Sequence, residues 1–180
     1  MKQVPKSRFA LYGSLALAAA ATDLISKEVV FRRLGVYGGT EWFIDGWFKF
    51  RFFTSLNQGA LWGVGQGFAL GFAALSVVAL LGIWYWLFWR GGCRSLWLTV
   101  ALGLVSGGTI GNLYDRVGIP GLTDRDGNSI LAVRDFFDVR LGSFDWAIFN
   151  VADVCLVTGA IMLMLQSFTM PQESSLATAE

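Results

Sequence analysis

Long uncharged runs separate short polar stretches along this chain. Phe9 to Thr22, Phe68 to Trp89, Ser95 to Tyr114 and Val154 to Met170 contain no Asp, Glu, Lys or Arg. A helix needs about 20 predominantly apolar residues to cross the hydrocarbon of a bilayer. The pattern therefore predicts four transmembrane helices, at about 9–25, 68–89, 95–114 and 146–168. In the third run Gly103, Gly107 and Gly111 recur every four residues, a small-residue stripe that lets another helix approach closely. Trp84, Tyr85, Trp86 and Trp89 close the second run as an aromatic belt.

Between the first two spans the period changes. Gly35, Gly38 and Gly39 interrupt any helix, and Asp45-Gly46 between apolar residues predicts a tight hairpin. Phe48, Phe50 and Phe52 then alternate with Lys49 and Arg51, as in a half-buried strand. A small sheet over about 28–57 follows. Its mixture of Trp, Phe, Lys and Arg suits the headgroup layer of a membrane, and equally a solvated surface. Together these elements predict one mainly α, membrane-embedded domain over 1–170. The short acidic tail, 171–180, is predicted to be disordered.

The N-terminal run, with Lys2, Lys6 and Arg8 before it and Ala18 to Ala21 within it, also has the look of a cleavable leader. Three further runs of membrane length, and Asp23 and Lys27 beyond it, favour a retained helix. Four spans put both termini on one side. The basic flank of the first helix places that side in the cytoplasm, although more Lys and Arg fall on the opposite side.

Composition narrows the chemistry. The 180 residues are 54% hydrophobic with 8 Trp and 15 Phe, and the net charge of +1 points to no nucleic acid or acidic partner. There is no His, which excludes Ser-His-Asp and Cys-His catalysis and His-based zinc sites. Cys93 and Cys155 lie at different depths and are not expected to pair. Catalysis, if any, falls to carboxylates, hydroxyls, Lys or Arg. Asp153 opens the fourth apolar run, where a carboxylate is costly, and Asn150 precedes it by one helical turn. Asp23 and Lys27 sit four apart, which by itself favours an ion pair ending the first helix over a pair facing a site. Asn112, Asp115 and Arg116 share a face at the end of the third span, whether as architecture or as part of a site.

Five stretches in order carry a resemblance: Asp23-Leu-Ile-Ser-Lys27, Asn57-Gln-Gly59-Ala60, Gly107-Gly-Thr-Ile-Gly111-Asn112-Leu-Tyr-Asp115-Arg116, Val133-Arg-Asp135-Phe136 and Phe149-Asn150-Val-Ala-Asp153. They resemble lipoprotein signal peptidase (signal peptidase II) of bacterial inner membranes. The resemblance implies a four-helix membrane aspartic peptidase with both termini cytoplasmic, a periplasmic sheet and a site near the periplasmic face. It implies no metal or cofactor. The implied substrates are prolipoproteins whose lipobox Cys carries diacylglycerol, cut just before that Cys, with globomycin-type inhibitors as ligands. The catalytic pair maps onto Asp135 and Asp153. Asp23, Lys27, Asn57, Gly59, Asn112, Asp115, Arg116 and Asn150 map onto the supporting residues.

The chain departs from the family pattern twice. Leu61-Trp62 replaces the usual Ala-Phe, and Arg116 and Asp135 are further apart, as if 118–129 were inserted. Asp138 therefore competes with Asp135, with Asp124 and Asp126 behind; the Val133-x-Asp-Phe pattern favours Asp135. A non-enzymatic four-helix scaffold, a small transporter and an inactive family member are the alternative readings.

Overall fold

A computed structural model describes residues 5–59 and 65–169, so Ala60 to Trp62 of the second motif and the tail from 171 lie outside the described residues. Among the described residues, four helices are long and apolar enough to cross a membrane. They are α1 (Lys6–Leu34), α2 (Ala69–Trp84, prolonged by a wider turn, Tyr85–Trp89), α3 (Leu96–Arg116) and α4 (Val151–Thr169). Strands β1 (Ile44–Asp45) and β2 (Phe48–Asn57) lie between α1 and α2. Strands β3 (Val133–Leu141) and β4 (Phe144–Asp145) lie between α3 and α4. The four form one antiparallel sheet in the order β1-β2-β3-β4.

Helix α3 is the centre of the bundle: 61% of its apolar window is buried, against 11–22% for the other three helices. Its glycines explain why. A Cβ on Gly107 would lie 2.5 Å from Ala19 Cβ and 2.7 Å from the Ala16 carbonyl oxygen, and one on Gly108 would lie 2.5 Å from the Ala152 carbonyl oxygen. Helices α1 and α4 thus press backbone-close on adjacent sides of α3. With lipid outside as apolar as the helix faces, such packing is a main source of association. The stripe expected at Gly103, Gly107 and Gly111 is the α1 contact; at Gly111 the neighbour is the Asp23 carboxylate.

Two boundaries and one strand differ from the sequence reading. Helix α1 runs on to Leu34, where the sheet was expected from about 28. Phe31 is buried there, and Glu28 is bonded by Arg32 within the helix and by Arg134 from β3, so tertiary contacts override the β-branched Val29-Val30 pair. Gly35, at φ 73°, then ends the helix. Helix α4 begins at Val151 rather than near 146, because Phe149 bridges in antiparallel fashion to Phe137 and keeps the chain extended up to Asn150. The polar segment after α3 holds a nine-residue strand, β3, that the sequence did not suggest. Its consecutive apolar residues Phe136 and Phe137 break the period-two pattern.

The expected hairpin forms, but its turn falls one residue later than Asp45-Gly46, because Asp45 ends β1 opposite Lys49 and Gly46-Trp47 connect the strands. Alternation on β2 holds. Phe50 and Phe52 pack with Phe43 and Phe137, while Arg51 lies over Trp42 on the other face, 4.4 Å from the ring centroid. Both cysteines are free, Cys93 buried and Cys155 half-buried.

The glycine packing carries a stability expectation. Gly107→Ala should destabilise by about 1–3 kcal/mol through overpacking, whereas Gly13→Ala, with nothing within 4 Å of its Cβ, should be neutral or stabilising. Thermal unfolding in detergent measures both; equal midpoints would contradict the packing.

Candidate active site

The site grows from the first turn of α4. Asn150 precedes the helix and Asp153 is its third residue. The Asn150 side-chain oxygen accepts the Asp153 N–H at 3.0 Å, and Asp153 Oδ2 accepts the Asn150 N–H at 3.1 Å. This reciprocal pair satisfies otherwise orphaned donors, in the manner of a capping box, and holds the Asp153 carboxylate at the positive end of the helix dipole.

A second carboxylate arrives on β3. Opposite it, β2 carries an irregularity: Phe52 faces Phe137 and Ser55 faces Asp135, so Phe53 and Thr54 together oppose the single residue Phe136. The Phe136 and Phe137 N–H groups both donate to the Phe149 carbonyl, at 3.0 and 2.8 Å. This bulge turns β3 toward the segment leading into α4, and so toward Asp153. Asp135 is 2% exposed. Its oxygens accept from Asn150 Nδ2 at 2.6 Å and Asn57 Nδ2 at 3.2 Å. Burial, then the negative charge of nearby Asp153, pushes its pKa up to about 7.

Asn112 of α3 ties the carboxylates to a charged network behind them. Its Nδ2 donates to Asp153 Oδ1 at 2.9 Å, and its Oδ1 accepts from Asn150 at 3.2 Å and from Lys27 Nζ at 3.0 Å. Lys27 is fully buried and also pairs with Asp23 at 2.6 Å and Asp115 at 3.1 Å. Asp23 in turn accepts the Ala152 N–H at 2.9 Å, satisfying another donor of the α4 start. The Asp23–Lys27 pair is therefore not a helix-ending surface contact. It is the buried link between α1, α3 and α4, and the helix continues beyond it.

Arg116, on the face shared with Asn112 and Asp115, does not pair with Asp115. It donates to the Gly59 carbonyl at 3.2 Å and lies over Phe72 of α2, which holds Gly59 beside the site. Gly59 N–H donates to Asn57 Oδ1 at 3.0 Å, leaving the Asn57 amide nitrogen to face Asp135. Asp115 is bound instead by Arg134, a residue that motif reading passed over because its neighbour Asp135 carried the signal.

Asp135, Asp153, Asn57, Asn112 and Arg116 line a 660 Å³ cavity. Val139, Trp146, Ile148, Val154 and Val157 make the rest of its wall apolar. Val154 and Val157 are 47% and 59% exposed, so this wall continues onto the lipid-facing side of α4. The rival carboxylates lie elsewhere. Asp138 is held by Arg51 at 2.6 Å on the other side of the sheet. Asp124 closes its own turn by accepting the Asp126 and Asn128 N–H groups, both at 2.9 Å.

Fold and site define a multi-pass membrane protein with a carboxylate centre where helix bundle and sheet meet. The family model for signal peptidase (SPase) II matches residues 15–169. The lipoprotein signal peptidase of Rhodopirellula baltica is 47% identical over 170 residues, covering 91% of this chain and 74% of that one. That of Bacillus pumilus is 33% identical over 156 residues, covering 86% and 90%. A solved structure described as a bacterial membrane enzyme, obtained by the in meso method at 2.3 Å, superposes with a TM-score of 0.74 at 22% identity, over 99% and 98% of the two chains. The chain belongs to the signal peptidase II family, and so to a class of membrane peptidases.

Removing one partner of a buried ion pair strands the other. Lys27→Met should therefore cost about 3–5 kcal/mol, since Asp23 would keep only the Ala152 N–H. A thermal midpoint in detergent equal to that of the wild type would contradict this weight for Lys27.

Proposed function

We propose that this protein is an aspartic endopeptidase of the bacterial cell membrane that removes the signal peptide from diacylglyceryl-modified prolipoproteins, cutting before the lipid-bearing Cys. One observation carries the reading: Asp135 on β3 and Asp153 on α4 are bound to one asparagine, Asn150, and both line a largely apolar cavity. Membership of the signal peptidase II family supports the substrate class and sets aside the scaffold and transporter readings.

Two neighbouring carboxyls, one buried and one half-buried, share a proton near neutrality. Asp135, buried and shifted upward, is the member that holds the proton, and Asp153, at the helix N-terminus, is placed to act as the base. Asp153 takes a proton from water as the water oxygen bonds to the scissile carbonyl carbon. Asp135 gives its proton to the carbonyl oxygen. As the C–N bond breaks, the proton on Asp153 passes to the leaving amine and Asp135 recovers its own. Asn112 and Asn150 hold both carboxyls in register, and Arg116 holds the Gly59 carbonyl beside them.

The apolar wall accounts for the lipid. Diacylglycerol stays in the bilayer beside Val154 and Val157 while the peptide bond reaches the carboxyls, so depth in the membrane selects the bond. The site lies near the periplasmic face, both termini are cytoplasmic, and globomycin-type inhibitors occupy the same cavity.

Asp135→Asn and Asp153→Asn should each lower cleavage of a lipidated prolipoprotein by at least about 10²-fold at normal yield, and Asp138→Asn should not. Wild-type cleavage by either of the first two variants would refute the dyad. The same substrate without diacylglycerol should be cut poorly; equal rates would refute the positioning role of the lipid.

The upward shift of Asp135 gives two pH signatures. Cleavage should fall as pH rises above about 7, where the shared proton is lost. A carboxyl whose pKa is higher folded than unfolded binds more protons in the native state, so its ionisation costs stability as pH rises from about 4 to about 7. The melting temperature of Asp135→Asn relative to wild type should therefore increase between pH 5 and pH 8. A pH-independent difference would contradict the shift.

A further inference from the structure

We propose that Arg134 is a positioning residue for the reaction, acting through Asp115 to hold Asp135 at the site; this rests on the dyad proposed above. Arg134 is 3% exposed. On a strand its side chain and that of Asp135 point to opposite faces, so Arg134 grips the bundle from behind while Asp135 faces the cavity. Its backbone N–H donates to Asp115 Oδ2 at 3.0 Å, and its Nε donates to Oδ1 at 3.1 Å with Nη2 at 2.9 Å from the same oxygen. Nη1 reaches Glu28 of α1 at 3.1 Å, and the guanidinium lies over Phe31, 5.9 Å from the ring centroid. One side chain therefore pins β3 to α3 and α1 at the residue immediately before Asp135.

This pin acts where the sheet is weakest as a ruler. The bulge lies between the Ser55–Asp135 pair and the Phe52–Phe137 pair, so Asp135 is the last residue of a three-pair ladder that the longer pairing of 137–141 with β2 does not hold in register. Asp115 is in addition the carboxylate to which Lys27 is bound while donating to Asn112, and Asn112 binds Asp153. Arg134 thus supports both carboxyls: Asp135 through the strand, and Asp153 through the Asp115–Lys27–Asn112 chain. Lys in its place retains a point charge for Asp115 but not the planar fork that also reaches Glu28.

The test measures kcat and KM separately on a purified diacylglyceryl-modified prolipoprotein in detergent, with Arg134→Met, Arg134→Lys and Glu28→Gln beside the wild type, and with Asp135→Asn and Asp153→Asn as references. A misplacement of about 1 Å can cost about 10²-fold in rate. Arg134→Met should lower kcat by about 10- to 10²-fold with KM within about twofold, Arg134→Lys should recover only part of that loss and stay clearly below the wild type, and Glu28→Gln should lose less than Arg134→Met. A purely structural role would reduce the yield of folded protein and leave kcat per folded molecule unchanged, which would overturn the proposal. If Arg134→Met does not fold, Arg134→Lys decides: a kcat reduced at unchanged melting temperature supports the role, and a wild-type kcat overturns it. Inactive Asp135→Asn and Asp153→Asn alongside a fully active Arg134→Met would refute only the positioning role; active Asp variants would refute the dyad itself.

Discussion

A carboxylate taken out of water must find its donors and counter-charges inside the protein, and this constraint organises the junction of bundle and sheet. Asp23, Asp115, Asp135 and Asp153 converge there with Lys27, Arg116 and Arg134. Lys27 and Arg134 pair with Asp23, Asp115 and Glu28. Asp135 and Asp153 have amide donors rather than a cation as hydrogen-bond partners. Burial, then the charge of Asp153, pushes Asp135 toward the neutral form. A proton held near neutrality is what general acid–base hydrolysis requires.

The architecture exists to bring these groups together from separate segments. Glycines on α3 let α1 and α4 approach until Asp23 reaches the N–H groups that open α4. The sheet delivers Asp135 from the other side, and the bulge opposite Phe136 together with Phe149 turns its strand toward the same helix start. Asparagines sit at each junction because an amide both donates and accepts without adding charge. Asn112 shows this use: it accepts from Lys27 and Asn150 and donates to Asp153. The cavity beyond is apolar and continues onto the lipid face of α4, which fits a substrate that arrives through the membrane.

Much of this was legible in the residues. Spans, glycine stripe, hairpin and the Asn150–Asp153 turn all follow from periodicity and the cost of charge in hydrocarbon. Strand β3 was not, because its pairing with β2 joins segments some eighty residues apart and its Phe136-Phe137 pair hides the alternation. The end of α1 was misjudged for a related reason: Glu28 is held by Arg134, a long-range partner. Asp23–Lys27 looked like an ordinary i,i+4 pair because spacing reports neighbours on one helix and says nothing of Asn112, Asp115 and Ala152 on two others. Arg134 was overlooked because its role is defined by Asp115, nineteen positions earlier.

The central claim is that Asp135 and Asp153 hold one proton between them. Infrared titration of the purified protein in detergent tests it most directly, by following the carbonyl stretch of protonated carboxyl groups with pH in the wild type, Asp135→Asn and Asp153→Asn. The account predicts a buried carboxyl band that titrates near pH 7 and is lost in Asp135→Asn. In Asp153→Asn it should move to lower pH, because the neighbouring negative charge that raises it has gone. A neutral-range band that persists unchanged in both variants, or none in the wild type, would contradict it.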